Sequence, residues 1–167
     1  MRILGIDPGF ERLGIAVLEK TKGKKKPFDK AQDKEQVIFS ECFKTSSKLD
    51  FSERLRLIGE EVKKMIREYK PEVLAIETLF LNTNQKTVMR VAETRGVIVY
   101  EGAQARLRIF EASPPQIKMA TTGYGRANKT QINKMVKILV EIDNSKKSDD
   151  ELDAIAIALT AFAHLKV

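Results

Sequence analysis

Arg2-Ile3-Leu4-Gly5-Ile6-Asp7-Pro8-Gly9 decides the fold: a short apolar run stops at an acid and a Pro-Gly pair. Such a run, closed by strong turn formers, predicts a buried strand followed by a tight turn. Working outward, Gly14–Leu18 and Val37–Phe43 read as two more strands, and the three make an antiparallel meander. Residues 20–36 between the last two are polar, contain Gly23 and Pro27 and have no periodicity, which predicts a solvated basic loop insertion. A helix is expected from Asp50 to Tyr69, with Phe51, Leu55, Ile58, Val62, Met65, Ile66 and Tyr69 at helical spacing. Asp50 and Glu53 suit its N-cap and N3 positions.

Pro71 ends that helix, and Val73-Leu-Ala-Ile76 runs as a fourth strand into Glu77. The next helix, Asn84 to Gln104, is apolar on more than one side, which suits packing between the sheet and something else, such as a second subunit. Leu107 to Ala112 is the fifth strand, closed by Ser113-Pro114-Pro115. A short helix, a Gly-rich turn at Thr122–Arg126, a helix over Lys129–Glu141 and a last helix over Asp149–His164 complete the chain. Three antiparallel strands followed by alternation indicate an α/β domain: a mixed five-stranded sheet flanked by helices, in the order of the ribonuclease H-like fold. A single such domain is expected over residues 1–167.

Composition narrows the function classes. Of 167 residues, 43% are apolar, which excludes disorder of the whole chain. No apolar run approaches the ~18 residues of a membrane span, and Met1-Arg2-Ile3-Leu4 enters the first strand rather than a secretory h-region. Cys42 stands alone in an apolar stretch, as a small buried residue would, and a reducing cytoplasmic setting is expected. The net charge of +7 is unevenly spread: residues 82–137 carry +7, the 20–36 loop +4, and residues 138–167 carry −3. A basic middle between acidic ends suggests a polyanionic partner and a separate acidic site.

The acids have a pattern. Asp7 and Glu77 both end strands, and in sheets of this kind the first and fourth strands are neighbours. Asp150 and Asp153 share one face of the last helix, and Asp153 interrupts an otherwise apolar run from Leu152 to Leu159. A carboxylate in such a place is costly unless paired or metal-bound. Four carboxylates brought together repel unless cations lie among them, and hard oxygen ligands suit Mg2+ or Mn2+. Two such ions, about 4 Å apart, are the apparatus of in-line phosphoryl displacement. Taken singly, the bland alternatives are a turn-forming Asp7, a surface Glu77, and Asp149–Glu151 complementing the helix N-terminus.

Gly5-Ile-Asp-Pro-Gly9 with Gly14, Ala75-Ile-Glu-Thr-Leu-Phe80, Thr94-Arg-Gly96, Tyr124-Gly-Arg-Ala-Asn-Lys-Thr-Gln131 and Asp150-Glu-Leu-Asp-Ala-Ile-Ala-Ile-Ala158 resemble, in order, the RuvC family of Holliday-junction resolvases. The resemblance covers nearly the whole chain and departs from family spacing at residues 20–36. It implies that Asp7, Glu77, Asp150 and Asp153 are catalytic, metal-binding acids holding two Mg2+, with Mn2+ as the alternative; Asp149, which also shares a face with Asp153, leaves a one-residue ambiguity. It implies that Phe80 inserts beside an unstacked base, a core Phe being the alternative. Lys118 and Lys129 fall on positions near the scissile phosphate, and Arg126 and Arg95 are further phosphate contacts. Tyr124 is either a stacking residue or an exposed turn Tyr. The implied protein is a cytoplasmic homodimer that cuts four-way junction DNA in paired, symmetrical nicks, leaving 5′-phosphate and 3′-hydroxyl ends, alongside a branch-migration helicase. The rivals are a ribonuclease H-like nuclease acting on RNA–DNA hybrids or other branched DNA, and a non-catalytic junction-binding protein. No acid of the set is missing, which disfavours the last.

Overall fold

The computed structural model describes residues 1–21, 34–79, 85–140 and 147–165. Its elements follow the expected order: β1 (Arg2–Asp7), β2 (Arg12–Thr21), β3 (Lys34–Lys44), α1 (Phe51–Tyr69), β4 (Val73–Glu77), α2 (Gln85–Gln104), β5 (Arg108–Ala112), α3 (Pro114–Thr122), α4 (Lys129–Leu139) and α5 (Asp149–His164). The sheet runs β3-β2-β1-β4-β5, with β1–β2 and β2–β3 antiparallel and β1–β4 and β4–β5 parallel. This is the mixed sheet of the ribonuclease H-like fold. Strands β2 and β3 outrun their apolar centres, because ladder pairs such as Arg12–Lys44 and Lys20–Glu35 continue into polar sequence. Most of the basic 20–36 loop lies outside the described residues.

Central strands buried on both faces need apolar residues at successive positions, which is why Ile3, Leu4 and Ile6, interrupted only by Gly5, are all fully buried. Alternate residues then serve two cores. Ile3, Ala16, Leu18 and Ala75 pack with α5 and parts of α3 and α4. Leu4, Ile6, Ile15, Val17, Leu74 and Ile76 pack with Ile58, Val62 and Met65 of α1 and Ile98 of α2.

Helix α1 begins at the expected N-cap, Asp50, yet its side chain makes no capping hydrogen bond. Glu53 is instead held by Arg56 at 2.9 and 2.5 Å, so the expected capping pair is not formed. Helices α3, α4 and α5 do carry reciprocal capping boxes, Ser113/Gln116, Asn128/Gln131 and Ser148/Glu151. The outer side of α2 leaves Met89 and Tyr100 exposed, at 66% and 58%.

Candidate active site

Two strand ends and one helix assemble the acids. Register pairs Ile6 of β1 with Ile76 of β4, so Asp7 and Glu77, one residue further on each strand, emerge side by side. The turn after Asp7 is braced from behind. Thr45 Oγ1 donates to the Phe10 carbonyl (2.6 Å), the Phe51 ring meets Phe10 edge-on, and the buried Arg54 guanidinium lies 5.0 Å from the Phe10 ring centre.

The helix is brought in by glycine. A side chain on Gly5 would strike the Ala154 carbonyl and the Ala158 methyl; one on Gly14 would strike the Asp150 carbonyl and come within 3.1 Å of Asp7 Cβ. Only a missing Cβ lets α5 lie this close to β1 and β2. Ser40 Oγ donates to Glu151 (2.9 Å), tying the first turn of α5 to β3, while the capping box fixes where the helix starts.

Asp7, Glu77 and Asp153 consequently line one cleft of about 270 Å³, together with Lys118, Lys129 and an apolar floor that includes Ile117 and Ile157. Burial, then the negative charges of Asp153, Glu77 and Asp150, push the Asp7 carboxyl up from 3.8 to about 7, against a lowering by Lys129. Glu77 is raised by burial and by Asp153. Asp153 is raised by burial, although Lys129 Nζ, 2.9 Å away, pulls it down. Asp150, and not Asp149, is among the charges felt by Asp7. Asp149 is turned outward to Asn133 Nδ2 (3.2 Å) and Lys129 (3.8 Å).

Among the described residues no three of these acids close into a ready ligand cage. Two are held by cations instead: Asp153 by Lys129, and Asp150 by Arg12, which donates from Nε (2.9 Å) and Nη2 (2.5 Å). Crowded all-oxygen donors fit hard divalent cations by their chemistry, because a cation offsets the mutual repulsion of closely placed carboxylates.

The other site expectations divide. Lys118 and Lys129 stand at the cleft. Arg126 and Tyr124 are exposed on the Gly-rich turn that follows α3. Arg95 is turned inward: Nε donates to the Glu77 carbonyl (3.1 Å) and Nη2 lies 2.6 Å from Glu111, so it braces the end of β4. Phe80 lies outside the described residues. Cys42 is half-buried rather than sealed in the core, and its thiol lies 3.4 Å from Asp150. Sequence reading missed Arg12 and Arg54, whose partners are distant in the chain; the Ser148-x-x-Glu151 box was a local signal that could have been used.

A 3-2-1-4-5 sheet with acids at the ends of its adjacent parallel strands and on the helix laid over them defines a nuclease of the ribonuclease H-like class. The family model described as "Crossover junction endodeoxyribonuclease RuvC" matches residues 3–161. The chain belongs to that family. Relatives bearing that name include those of Halothermothrix orenii, 42% identical with 95% of this chain and 90% of the relative covered, and Thermosipho melanesiensis, 40% identical with 95% and 94% covered. Among solved structures, Thermus thermophilus RuvC in complex with a Holliday junction substrate superposes with a TM-score of 0.84 at 28% identity, covering 96% of this chain and 92% of that one. The yeast mitochondrial Holliday junction resolvase shares the fold, with a TM-score of 0.68 at 15% identity, covering 95% of this chain and 76% of that one.

Proposed function

We propose that this chain resolves four-way DNA junctions by divalent-ion-dependent hydrolysis of phosphodiesters, using Asp7, Glu77, Asp150 and Asp153 as the ligands. The observation that carries this reading is the convergence of Asp7, Glu77 and Asp153 in one cleft beside Lys118 and Lys129, where burial and the neighbouring acids push the Asp7 carboxyl up to about 7. A protein does not maintain such repulsion for stability, and perturbed carboxylates of this kind mark functional sites.

Divalent ions held by these four acids would supply Lewis-acid activation of water and charge neutralisation at the departing oxygen. The chain's own residues do the rest. Asp7 and Glu77 are presented on rigid strand ends, so their oxygens are fixed before substrate arrives. Lys129 occupies the cleft as a positive charge on Asp153, where its ammonium would also be placed to meet a phosphate oxygen. Lys118, half-buried on α3, offers a second ammonium to the backbone. The apolar floor of Ile117 and Ile157 lowers the local dielectric and strengthens each of these interactions.

The same proposal includes 5′-phosphate and 3′-hydroxyl products, paired symmetrical nicks from a homodimer, two Mg2+ per site, a cytoplasmic location and cooperation with a branch-migration helicase. The exposed Met89 and Tyr100 on α2 support a second copy on that side, and two-fold symmetry suits a junction whose opposite strands are equivalent. Cleavage of a mobile four-way junction, a linear duplex of the same sequence and an RNA–DNA hybrid, with and without Mg2+, is the test. Selective, Mg2+-dependent cutting of the junction is expected; equal cutting of the linear duplex, or preference for the hybrid, overturns the reading.

A further inference from the structure

The fourth acid is held differently from the other three. Arg12, at the start of β2, places both Nε (2.9 Å) and Nη2 (2.5 Å) on a single oxygen, Oδ2 of Asp150. Cys42 of β3 adds its thiol to that same oxygen at 3.4 Å. Three donors thus converge on one carboxylate oxygen, and Asp150 is the one acid of the set that does not line the cleft of Asp7, Glu77 and Asp153. Its charge is also the weakest of the three acids acting on Asp7.

Arg12 faces the other way. It lines an adjacent open groove of about 490 Å³ whose walls include Ser40, Lys44, Lys147 and Ser148. Glu41 and Glu151 line it too, but Glu151 is already engaged by its cap at Ser148, by Ser40 and by Lys147. The Arg12 side chain is 52% exposed while that of Asp150 is 21% exposed, so the guanidinium is the accessible member of the pair.

We propose that Arg12 exchanges partners: without DNA it holds Asp150 back from the other acids, and with DNA it takes a backbone phosphate in the adjacent groove and releases Asp150 to the cation site. This rests on the reading of the four acids as a divalent-cation site. The guanidinium fork fits a phosphate as well as a carboxylate, so the exchange trades one two-point contact for another. The pair given up is solvent-accessible and therefore weak, which keeps the exchange reversible. With three donors on Oδ2, Asp150 has only Oδ1 left to offer a cation and its charge is already offset, and a guanidinium beside the site opposes a divalent charge. Loading of the cation and docking of the DNA become coupled, and linkage makes the coupling reciprocal.

Mn2+ binding to the DNA-free protein, followed by electron paramagnetic resonance of the free ion, tests the first half. Arg12→Gln is expected to bind Mn2+ about three- to tenfold more tightly than wild type, with Arg12→Lys between them. In an Asp150→Asn background, the gain from Arg12→Gln is expected to shrink to the small part that comes from removing the guanidinium charge, since the rest acts through that carboxylate. Junction binding in chelator, measured against salt, tests the second half: Arg12→Gln is expected to lower the salt slope by about one. Unchanged Mn2+ affinity in Arg12→Gln, an effect that persists undiminished with Asp150→Asn, or an unchanged salt slope overturns the exchange. Asp7→Asn separates the two claims. If it abolishes Mn2+ binding while Arg12→Gln has no effect, the cation site stands and the exchange falls. If wild type and Asp7→Asn bind Mn2+ equally, the site reading falls and takes the exchange with it.

Discussion

The two faces of the sheet are built on opposite principles. On one, α5 lies against glycines and is buried along almost its whole length from Leu152 to Phe162, with carboxylates confined to its first turns. On the other, α1 and α2 pack by ordinary apolar stripes, with ion pairs such as Arg56–Glu60 and Arg56–Glu53 on the outside of α1 and bare Met89 and Tyr100 on α2. The first face spends close backbone approach on holding like charges together. The second holds the sheet and leaves an apolar surface open. Chemistry therefore depends on close backbone approach on one face and very little on the other.

The largest break is expected from Gly14→Ala. Its methyl would meet backbone of α5 rather than a flexible side chain, so the helix start must move and Asp150 with it. A loss of about 3 kcal/mol in stability is expected from denaturant unfolding, of the order seen for overpacked cores, together with loss of cleavage. Retention of both would mean that close approach of α5 is not what builds the site.

A change of pH comes next. The unfolded chain loses the Asp7 proton near 3.8 and the folded chain near 7, so between these values the folded state holds more protons. Its stability accordingly falls as pH rises across that window. In chelator, Tm is expected to drop by about 5 °C between pH 5 and pH 8 relative to an Asp7→Asn control, and Mg2+ is expected to restore it. Cation binding should weaken as pH falls through about 7, because protons compete for Asp7.

Smaller effects sharpen the contrast. Lys118→Ala is expected to reduce the salt slope of junction binding by about one and to weaken binding severalfold at moderate salt, without altering Tm. Tyr100→Ser on the open face is expected to change monomer stability by under about 0.5 kcal/mol and to leave the Mg2+-dependent rise in Tm intact, while weakening self-association in sedimentation. A lost Mg2+ response in Tyr100→Ser would show that the faces are not separable.

Much of this division was legible in the chain. The Arg2–Gly9 run, the Val73–Glu77 run and the helix over Asp149–His164 carry strong local signals, because a buried strand or helix has no room for alternatives. Asp153 was visible because it interrupts an apolar helical run, and Asp7 and Glu77 because each ends an apolar strand. The partners of arginines were not legible. Arg95 reaches the Glu77 main-chain carbonyl and the Glu111 carboxylate, and Arg12 pairs with Asp150, 138 residues away, contacts that only the folded topology creates. Nor was the fate of Asp50 and Glu53 legible, because Arg56 outcompetes the helix terminus for Glu53. Cys42 looked apolar by its neighbours, yet it faces an acid from the end of another element.

The most direct measurement is Asp7→Asn, assayed on one mobile four-way junction for binding in chelator and for cutting in Mg2+, with Tm recorded at pH 8. The account predicts that junction binding persists, that cutting falls by about a thousandfold or more, and that the chelator Tm rises because a buried, repelled charge has been removed. A variant that cuts at the wild-type rate, or that loses stability at pH 8, would contradict it.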